Sequence, residues 1–235
     1  AMKGYNSNLT NGVYSSRGWT NPHLVTYVES HDEERGMFEC LSAGVSTNPS
    51  HNVKELPIAL LRAQAAGVMM LTTPGPKMIW QFGELGYDIS IDNPCRVCNK
   101  PILWNYYTQA RRRQLYDVYA ATLFLRNNYE TYRSLNFQYS LTGAAKRMTM
   151  SHSTMNGVSM ANFAVTTQSV IPAFQHAGWW YEYFTGDSLL VGDFAPTPVS
   201  LAPGEYRLYT NTKISDGLVL IVKEISNDNA SLTVY

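Results

Sequence analysis

The sequence predicts an α+β protein in which a β/α region, residues 1–134, precedes an antiparallel β-sandwich, residues 135–235. Two observations lead to this division. Before residue 134, two apolar segments of strand-like composition are each followed by a long helical segment, the order that a parallel β/α fold requires. After residue 134, short alternating runs recur between Gly, Pro and Asn residues, which is typical of a sandwich.

The first predicted strand, Leu24–Val28, ends in a cluster of ionisable side chains. The strand is rich in β-branched, aromatic and aliphatic residues, which favour strands. The residues that follow, 29–35, read ESHDEER. Parallel β/α enzymes carry their chemistry at the carboxyl ends of strands, so segment 29–35 is a candidate active site. The alternative is a strand followed by a solvated acidic turn, and composition alone does not separate the two.

One further strand and two helices complete the β/α region. Segment Glu55–Leu71 is apolar on nearly all sides, which predicts a helix covered by the rest of the protein. Residues Met78–Phe82 form the second predicted strand, and a loop over Gly83–Pro101 leads to the second predicted helix, Gln109–Asn127. Segment 36–52 is predicted to be irregular.

Short alternating runs predict the strands of the sandwich. They are Lys146–Ser151, Val158–Ala164, Ser169–Ala173, Tyr181–Phe184, Pro198–Leu201, Glu205–Tyr209 and Leu218–Ile225. Aromatic residues are concentrated between positions 179 and 184, and two interpretations are open for them. They could form a sugar-stacking platform, or they could be sandwich core with some alternate side chains exposed. We favour the second, because alternate residues of a strand face opposite sides of the sheet.

Composition and cysteine spacing argue against several classes of function. Lys plus Arg and Asp plus Glu are equal at 18 each, so no net charge attracts nucleic acid or anionic lipid. No apolar run approaches the roughly 20 residues of a membrane span, and the first residues lack the apolar part of a signal peptide. Cys95 and Cys98 form a CxxC without a second pair or a nearby His. This spacing predicts a disulfide or two free thiols and no metal, and we expect no cofactor.

Three stretches together resemble signature regions of the alpha-amylase superfamily of glycoside hydrolases. The stretch YVESHDEER resembles the fourth signature region, at the end of barrel strand seven; the family usually has Asn-His-Asp there, and this chain has Ser30-His31-Asp32. The stretch TPGPKMIWQFGELGYD, residues 73–88, looks like strand eight and its loop. The stretch RVCNKPILW, residues 96–104, is similar to the segment that follows that loop.

The resemblance implies a fold and a substrate class. Residues 1–134 would be the last two β/α units of a partial (β/α)8 barrel, and residues 135–235 would be the C-terminal β-sandwich domain of the family. A closed barrel needs eight units and about 250 residues, so we expect strands one to six to precede residue 1 in a longer protein. That protein would be a secreted, periplasmic or cell-surface hydrolase or transglycosylase acting on α-glucans such as starch, glycogen and maltooligosaccharides.

The resemblance also assigns roles to two side chains. Retaining glycosidases need a nucleophile and an acid/base carboxylate about 5 Å apart, which the family carries on strands four and five. Asp32 corresponds to the family's third carboxylate, a catalytic group that binds sugar hydroxyls at the cleavage subsite and helps hold the ring distorted. His31 corresponds to a substrate-binding residue that hydrogen-bonds a hydroxyl of the same sugar. The chain by itself is therefore expected to be inactive.

Two other functions remain open, and self-association is expected. The chain could be a non-catalytic carbohydrate-binding or scaffolding module that uses the sandwich aromatics, or an amylase-like protein that has lost its catalysis. A strand of a parallel barrel normally has a neighbour on each edge, whereas segment 24–28 would have only segment 78–82. We therefore expect the chain to self-associate through residues 20–105.

Overall fold

Three α-helices lie in the part of the chain that the computed structural model describes, residues 1–192 and 197–214. They are α1 (Gly36–Ala43), α2 (Leu56–Thr72) and α3 (Ala110–Asn128). Helices α2 and α3 confirm the two predicted helices to within one residue at each end. The predicted strand Leu218–Ile225 lies outside the described residues. No described helix has the length and apolar character needed to cross a membrane.

Helix α1 corrects the prediction that segment 36–52 is irregular. Its first turn is capped by a residue outside the helix: the Glu29 carboxylate accepts the Gly36 N–H at 2.7 Å. A carboxylate at this end of a helix satisfies a free N–H group and interacts favourably with the helix dipole. Met37 and Cys40 bury the inner face of the helix. This cap is a tertiary contact, so the local sequence carries no sign of it.

The two predicted strands of the β/α region run side by side but do not form regular strands. A single parallel β-bridge joins Thr26 to Lys77. The Thr26 N–H donates to the Pro76 carbonyl at 3.1 Å, and the Met78 N–H donates to the Thr26 carbonyl at 3.1 Å. Parallel strands are stabilised by neighbours on both edges, and within the described residues this pair has none on its outer edges. The parallel direction agrees with the prediction; the partial barrel itself stays a prediction.

The second half of the chain is an antiparallel β structure. Its strands are β1 (Phe137–Ser140), β2 (Ala145–Met150), β3 (Gly157–Asn162), β4 (Gln168–Val170), β5 (Gly178–Glu182), β6 (Ser188–Val191), β7 (Val199–Leu201) and β8 (Tyr206–Thr210). One sheet has the order β1-β2-β3-β8-β5-β6, and β4 pairs with β7 in a second sheet. Strands β1 and β6 were not predicted. Both are edge strands with half-exposed side chains, so their apolar patterns are weak.

The two faces of the larger sheet pack against different parts of the protein. One face meets α2 and α3 in a core that includes Val68, Leu125, Met148 and Leu208. The other face covers the β4–β7 pair and buries a group that includes Trp180, Met160 and Leu201. The sandwich prediction is therefore right for one face, whereas helices of the β/α region cover the other.

Arg62 of α2 links the helices to the sheet. Its side chain has no exposed surface and donates to the carbonyls of Phe163 and Ala164, which follow β3. It also donates to the Met2 carbonyl and lies 3.1 Å from His51 Nε2. Burial lowers the pKa of Arg62 to about 10; burial first, and then the Arg62 charge, lower the pKa of His51 to about 4. His51 is thus neutral at pH 7 and can accept a hydrogen bond from the guanidinium.

Candidate functional site

A cleft of about 240 Å³ opens where the two parallel segments end. His31 follows the first segment and Trp80 lies within the second, and both line the cleft. The opposite wall comes from the loop 89–100, which contributes Arg96 and Lys100 among others. The cleft therefore lies at the carboxyl ends of the bridged segments, where the sequence predicts the chemistry.

The two predicted site residues are adjacent in space and open to solvent. The His31 and Asp32 side chains are 67% and 77% exposed, and His31 Nε2 lies 3.5 Å from Asp32 Oδ1. The His31 ring also lies 5.4 Å from the Trp80 ring, measured between centroids. A carboxylate, an imidazole and an indole are therefore available together to a ligand. This combination suits a sugar, which has hydroxyl groups at its edge and an apolar face.

Ser30 shapes the turn that carries this pair. Its side chain is buried, and its hydroxyl oxygen accepts the Asp32 N–H at 3.1 Å. The same hydroxyl donates to the Glu33 carboxylate. Such a local hydroxyl-to-backbone bond is a common way for Ser to stabilise a turn. Ser30, where the family usually has Asn, thus supports the turn from inside it.

A buried ion pair joins the ends of the two parallel segments. Arg35 and Glu29 are both buried, with Arg35 Nη2 and Glu29 Oε1 2.6 Å apart. The same Nη2 donates to the Gln81 carbonyl at 2.6 Å, and the guanidinium lies over the Tyr87 ring at 4.5 Å. Because the charges are paired and hydrogen-bonded, the burial is tolerated. The sequence does not predict this pair, although Glu29 and Arg35 are the first and last residues of the ionisable cluster.

Phe82 adopts an uncommon backbone conformation next to this ion pair. Its φ is 57°, which a bulky residue seldom adopts and which costs about 1–3 kcal/mol. The ring is buried and packs 4.9 Å from Trp104 and 6.0 Å from Tyr87. This packing holds the chain in a sharp turn directly after Gln81, whose carbonyl accepts from Arg35.

The loop 89–100 is closed by a disulfide and by the hydrogen bonds of a half-buried lysine. Cys95 and Cys98 form a disulfide, one of the two states that the spacing predicts. Lys100 Nζ donates to the carbonyls of Cys95, at 2.8 Å, and Asn93, at 3.2 Å. Arg96, within the disulfide ring, donates to the main-chain carbonyl of Asp32. The described residues contain no group of three or more metal-binding side chains.

The Glu34 carboxylate fixes the base of this loop. It accepts the Ser90 hydroxyl at 2.6 Å and the Ile91 N–H at 2.9 Å. Burial raises the pKa of Glu34, but the hydrogen bonds from Ser90, Ile91 and the Arg35 N–H outweigh burial, and the pKa is lowered from its ordinary value of 4.5.

We expect the loop base to loosen in acid. Because the pKa of Glu34 is lower in the folded chain than in the unfolded chain, the carboxylate stabilises the fold fully above pH 4.5, and this contribution is lost as the pH falls through the folded pKa. Hydrogen exchange of the Ile91 amide, corrected for its intrinsic rate, should accelerate over that interval. Glu34→Gln should exchange faster at pH 7 and show no such step. Equal protection in both proteins at pH 7 would contradict this role of Glu34.

The aromatic group of the sandwich is mainly core. Trp180, Tyr183 and Phe184 are buried, whereas Trp179 is 52% exposed. This agrees with the predicted interpretation of core with exposed alternates. Trp179 lies opposite Leu190 of β6, which is also exposed, and the two form the remaining candidate for a second sugar platform.

Comparisons with known proteins find structural relatives only. No protein-family model matches the sequence, and no curated protein matches it either. Among solved structures, a pullulanase from Bacillus acidopullulyticus is 18% identical with a TM-score of 0.61, over 89% of this chain and 28% of its own. The catalytic module of the glycogen-degrading pneumococcal virulence factor SpuA is 10% identical with a TM-score of 0.64, over 91% and 40%. An alpha-amylase from Geobacillus thermoleovorans, complexed with acarbose, is 14% identical with a TM-score of 0.56, over 80% and 38%.

These likenesses show that the chain has a fold similar to part of each of these structures. The chain spans less than half the length of each of these structures, 28% to 40%. At sequence identities this low, a structural likeness shows the fold alone. The activity has to be inferred from the residues of the site.

Proposed function

We propose that this chain is the C-terminal part of a glycoside hydrolase or transglycosylase that acts on α-glucans. The observation that carries the proposal is the exposed pair of His31 and Asp32, in contact at 3.5 Å, of which His31 lines a cleft together with Trp80. The fold likeness to amylases and pullulanase adds support. The cleft supplies the His31 imidazole as a polar contact and the Trp80 indole for the apolar face of a sugar, and Asp32, in contact with His31, adds a carboxylate for hydroxyl groups at its edge.

In this proposal Asp32 stabilises the transition state of glycosidic bond cleavage. A glycosidase transition state resembles an oxocarbenium ion, so a fixed carboxylate close to it is stabilising. Ser30 fixes the Asp32 main chain, and the Glu29–Arg35 pair holds the segment ends together. His31 holds the same sugar through one hydroxyl. Asp32 thus needs no proton transfer of its own.

The nucleophile and the acid/base must come from elsewhere in a longer protein. Glu29 is engaged by Arg35 and the Gly36 N–H, and Glu34 is engaged by Ser90 and Ile91. Neither is free to act as one of two carboxylates about 5 Å apart. We place the longer protein outside the cytoplasm, and the Cys95–Cys98 disulfide supports this, because disulfides persist in oxidising compartments.

We expect maltotriose to bind the isolated chain weakly at this cleft. Only part of a substrate site is present, so the Kd should be about 1 mM or higher, the weak end of the affinity scale. Nuclear magnetic resonance should show the Trp80 indole and the His31 ring shifting on titration. His31→Ala should weaken the response at Trp80, whereas a β-linked trisaccharide of glucose should leave both signals in place.

The same titration separates the rival functions. A carbohydrate-binding module that uses the sandwich would shift the Trp179 indole and leave Trp80 unchanged. Trp179→Ala is the matched variant, because Trp179 is exposed on the sandwich and distant in sequence from the cleft. A titration in which neither indole moves would contradict both functions for this chain.

We also propose that the isolated chain self-associates through the outer edge of segment 24–28. Val25 and Tyr27 are 47% and 43% exposed, and within the described residues their main-chain groups make no hydrogen bond. The Thr26 hydroxyl is buried without a partner and faces a cavity of about 480 Å³. An open strand edge beside apolar surface favours pairing with another chain. A second copy, related by a two-fold axis, offers the same edge.

We expect Tyr27→Pro to weaken this association at least about tenfold, because one proline removes an edge N–H and is disfavoured in strand pairing. The Tyr27 N–H makes no internal hydrogen bond among the described residues, so the fold should tolerate the change. Light scattering over a dilution series measures the effect. Leu190→Lys, on the exposed side of β6, is the control and should associate normally. A wild-type chain that stays monomeric at high concentration would disprove the association, and a monomeric Leu190→Lys would move it to the sandwich.

A further inference from the structure

The disulfide ring lies against the candidate site itself. Cys98 lines the cleft together with His31, and the side chain of Cys98 is exposed while that of Cys95 is half-buried. Exposed disulfides are in general the ones that thiols reduce readily. The ring encloses Arg96 and Val97, and Val97 is 95% exposed. Apart from the disulfide, little packing holds this tip in place.

Arg96 connects the ring to Asp32. Its guanidinium donates to the main-chain carbonyl of Asp32, and its Nη1 lies 3.5 Å from the Asp92 carboxylate. Within the described residues, the other hydrogen bond to the Asp32 main chain is the one from its N–H to Ser30. Arg96 therefore holds the carbonyl of Asp32, and Ser30 holds its N–H.

The base of the loop is held independently of the disulfide. Glu34 accepts from Ser90 and Ile91, and Lys100 donates to the carbonyl of Asn93. Opening the disulfide would leave these contacts in place. It would free the tip of the loop, residues 95–98. Arg96 would then have more conformational freedom than the closed ring allows.

We propose that Arg96 is a positioning residue for Asp32 and that the Cys95–Cys98 disulfide makes this positioning dependent on redox state. The proposal rests on the proposed function, because it concerns regulation of the same site. In the reducing step, a dithiol gives up two electrons and two protons. The Sγ–Sγ bond breaks, Cys95 and Cys98 become thiols, and the dithiol becomes a disulfide. With the ring open, the Arg96 contact to the Asp32 carbonyl is lost and the turn that carries His31 and Asp32 relaxes.

The test uses the 235-residue chain and the ring resonances of His31, assigned with His31→Gln. Reduction with dithiothreitol and the substitution Arg96→Gln should shift the same His31 resonance in the same direction. Arg96→Lys, which keeps a donor, should restore part of the wild-type position. The double variant Cys95→Ser, Cys98→Ser should resemble the reduced chain and should not respond to dithiothreitol. His176, in the sandwich, serves as the reference signal.

Maltotriose affinity gives the second measurement. Reduction should weaken binding about two- to tenfold, the loss expected for one hydrogen bond. If thiol counting shows complete reduction while the His31 resonance stays in place, the redox proposal is wrong. If Arg96→Gln leaves that resonance unchanged, Arg96 is not a positioning residue. If maltotriose binds in neither redox state, the proposed function is contradicted. The His31 shifts, which need no ligand, still test whether Arg96 and the disulfide position Asp32.

Discussion

The purified 235-residue chain is expected to release no reducing sugar from starch or maltooligosaccharides above a blank. The physical reason is that Asp32, which contacts His31 at the cleft, is assigned to transition-state stabilisation, whereas cleavage with retention needs a nucleophile and an acid/base as well. Nearby Glu29 and Glu34 are held in hydrogen bonds. A reducing-end assay with long incubation measures the release directly.

The matched control is Asp32→Asn, which should give the same blank value as the wild-type chain. Clear turnover by the wild-type chain that disappears in Asp32→Asn would show that the chain holds a complete active site. Turnover that survives the substitution would indicate a contaminating enzyme, because among the described residues Asp32 is the carboxylate within 4 Å of the His31 ring nitrogens.

The proposed longer enzyme is expected to lose about 10²–10³-fold or more in kcat when Asp32 is replaced by Asn, the scale of losing a strong electrostatic contact in the transition state. The amide keeps the shape of the side chain and can accept a hydrogen bond. It carries no negative charge, so it cannot offset the positive charge that develops on the sugar ring. The kinetics of maltooligosaccharide cleavage measure this loss.

Asp92 provides the control for that experiment. Its carboxylate is also exposed, at 69%, and pairs with Arg96 at 3.5 Å, so its effect on kcat would be indirect, through Arg96, and not through contact with the sugar. Asp92→Asn should change kcat much less than Asp32→Asn. Near-normal kcat in Asp32→Asn would remove the role assigned to that residue, and equal losses in both variants would point to a general electrostatic effect of the loop.

Local sequence patterns were sufficient for the long helices and most of the strands. The predicted bounds of α2 and α3 agree with the structure because α2 is apolar on nearly all sides and α3 carries apolar residues at helical spacing, and both patterns indicate burial. The position of Gly67 within α2 has a different cause, since a Cβ there would lie 2.3 Å from Tyr119 of α3. The edge strands β1 and β6 escaped prediction, because strands that bury little carry little pattern.

The sequence by itself determined where the candidate chemistry lies, since the apolar run 24–28 passes directly into the ionisable cluster that contains His31 and Asp32. Only the tertiary structure decided how that cluster is held. The hydrogen bonds that hold it join residues far apart in the chain, such as Arg35 with Gln81 and Arg96 with Asp32. Such contacts depend on side-chain direction in the folded chain, which no local pattern encodes. The extent of strand formation was likewise decided by tertiary neighbours, because the hydrogen bonds that extend a parallel strand come from segments distant in sequence.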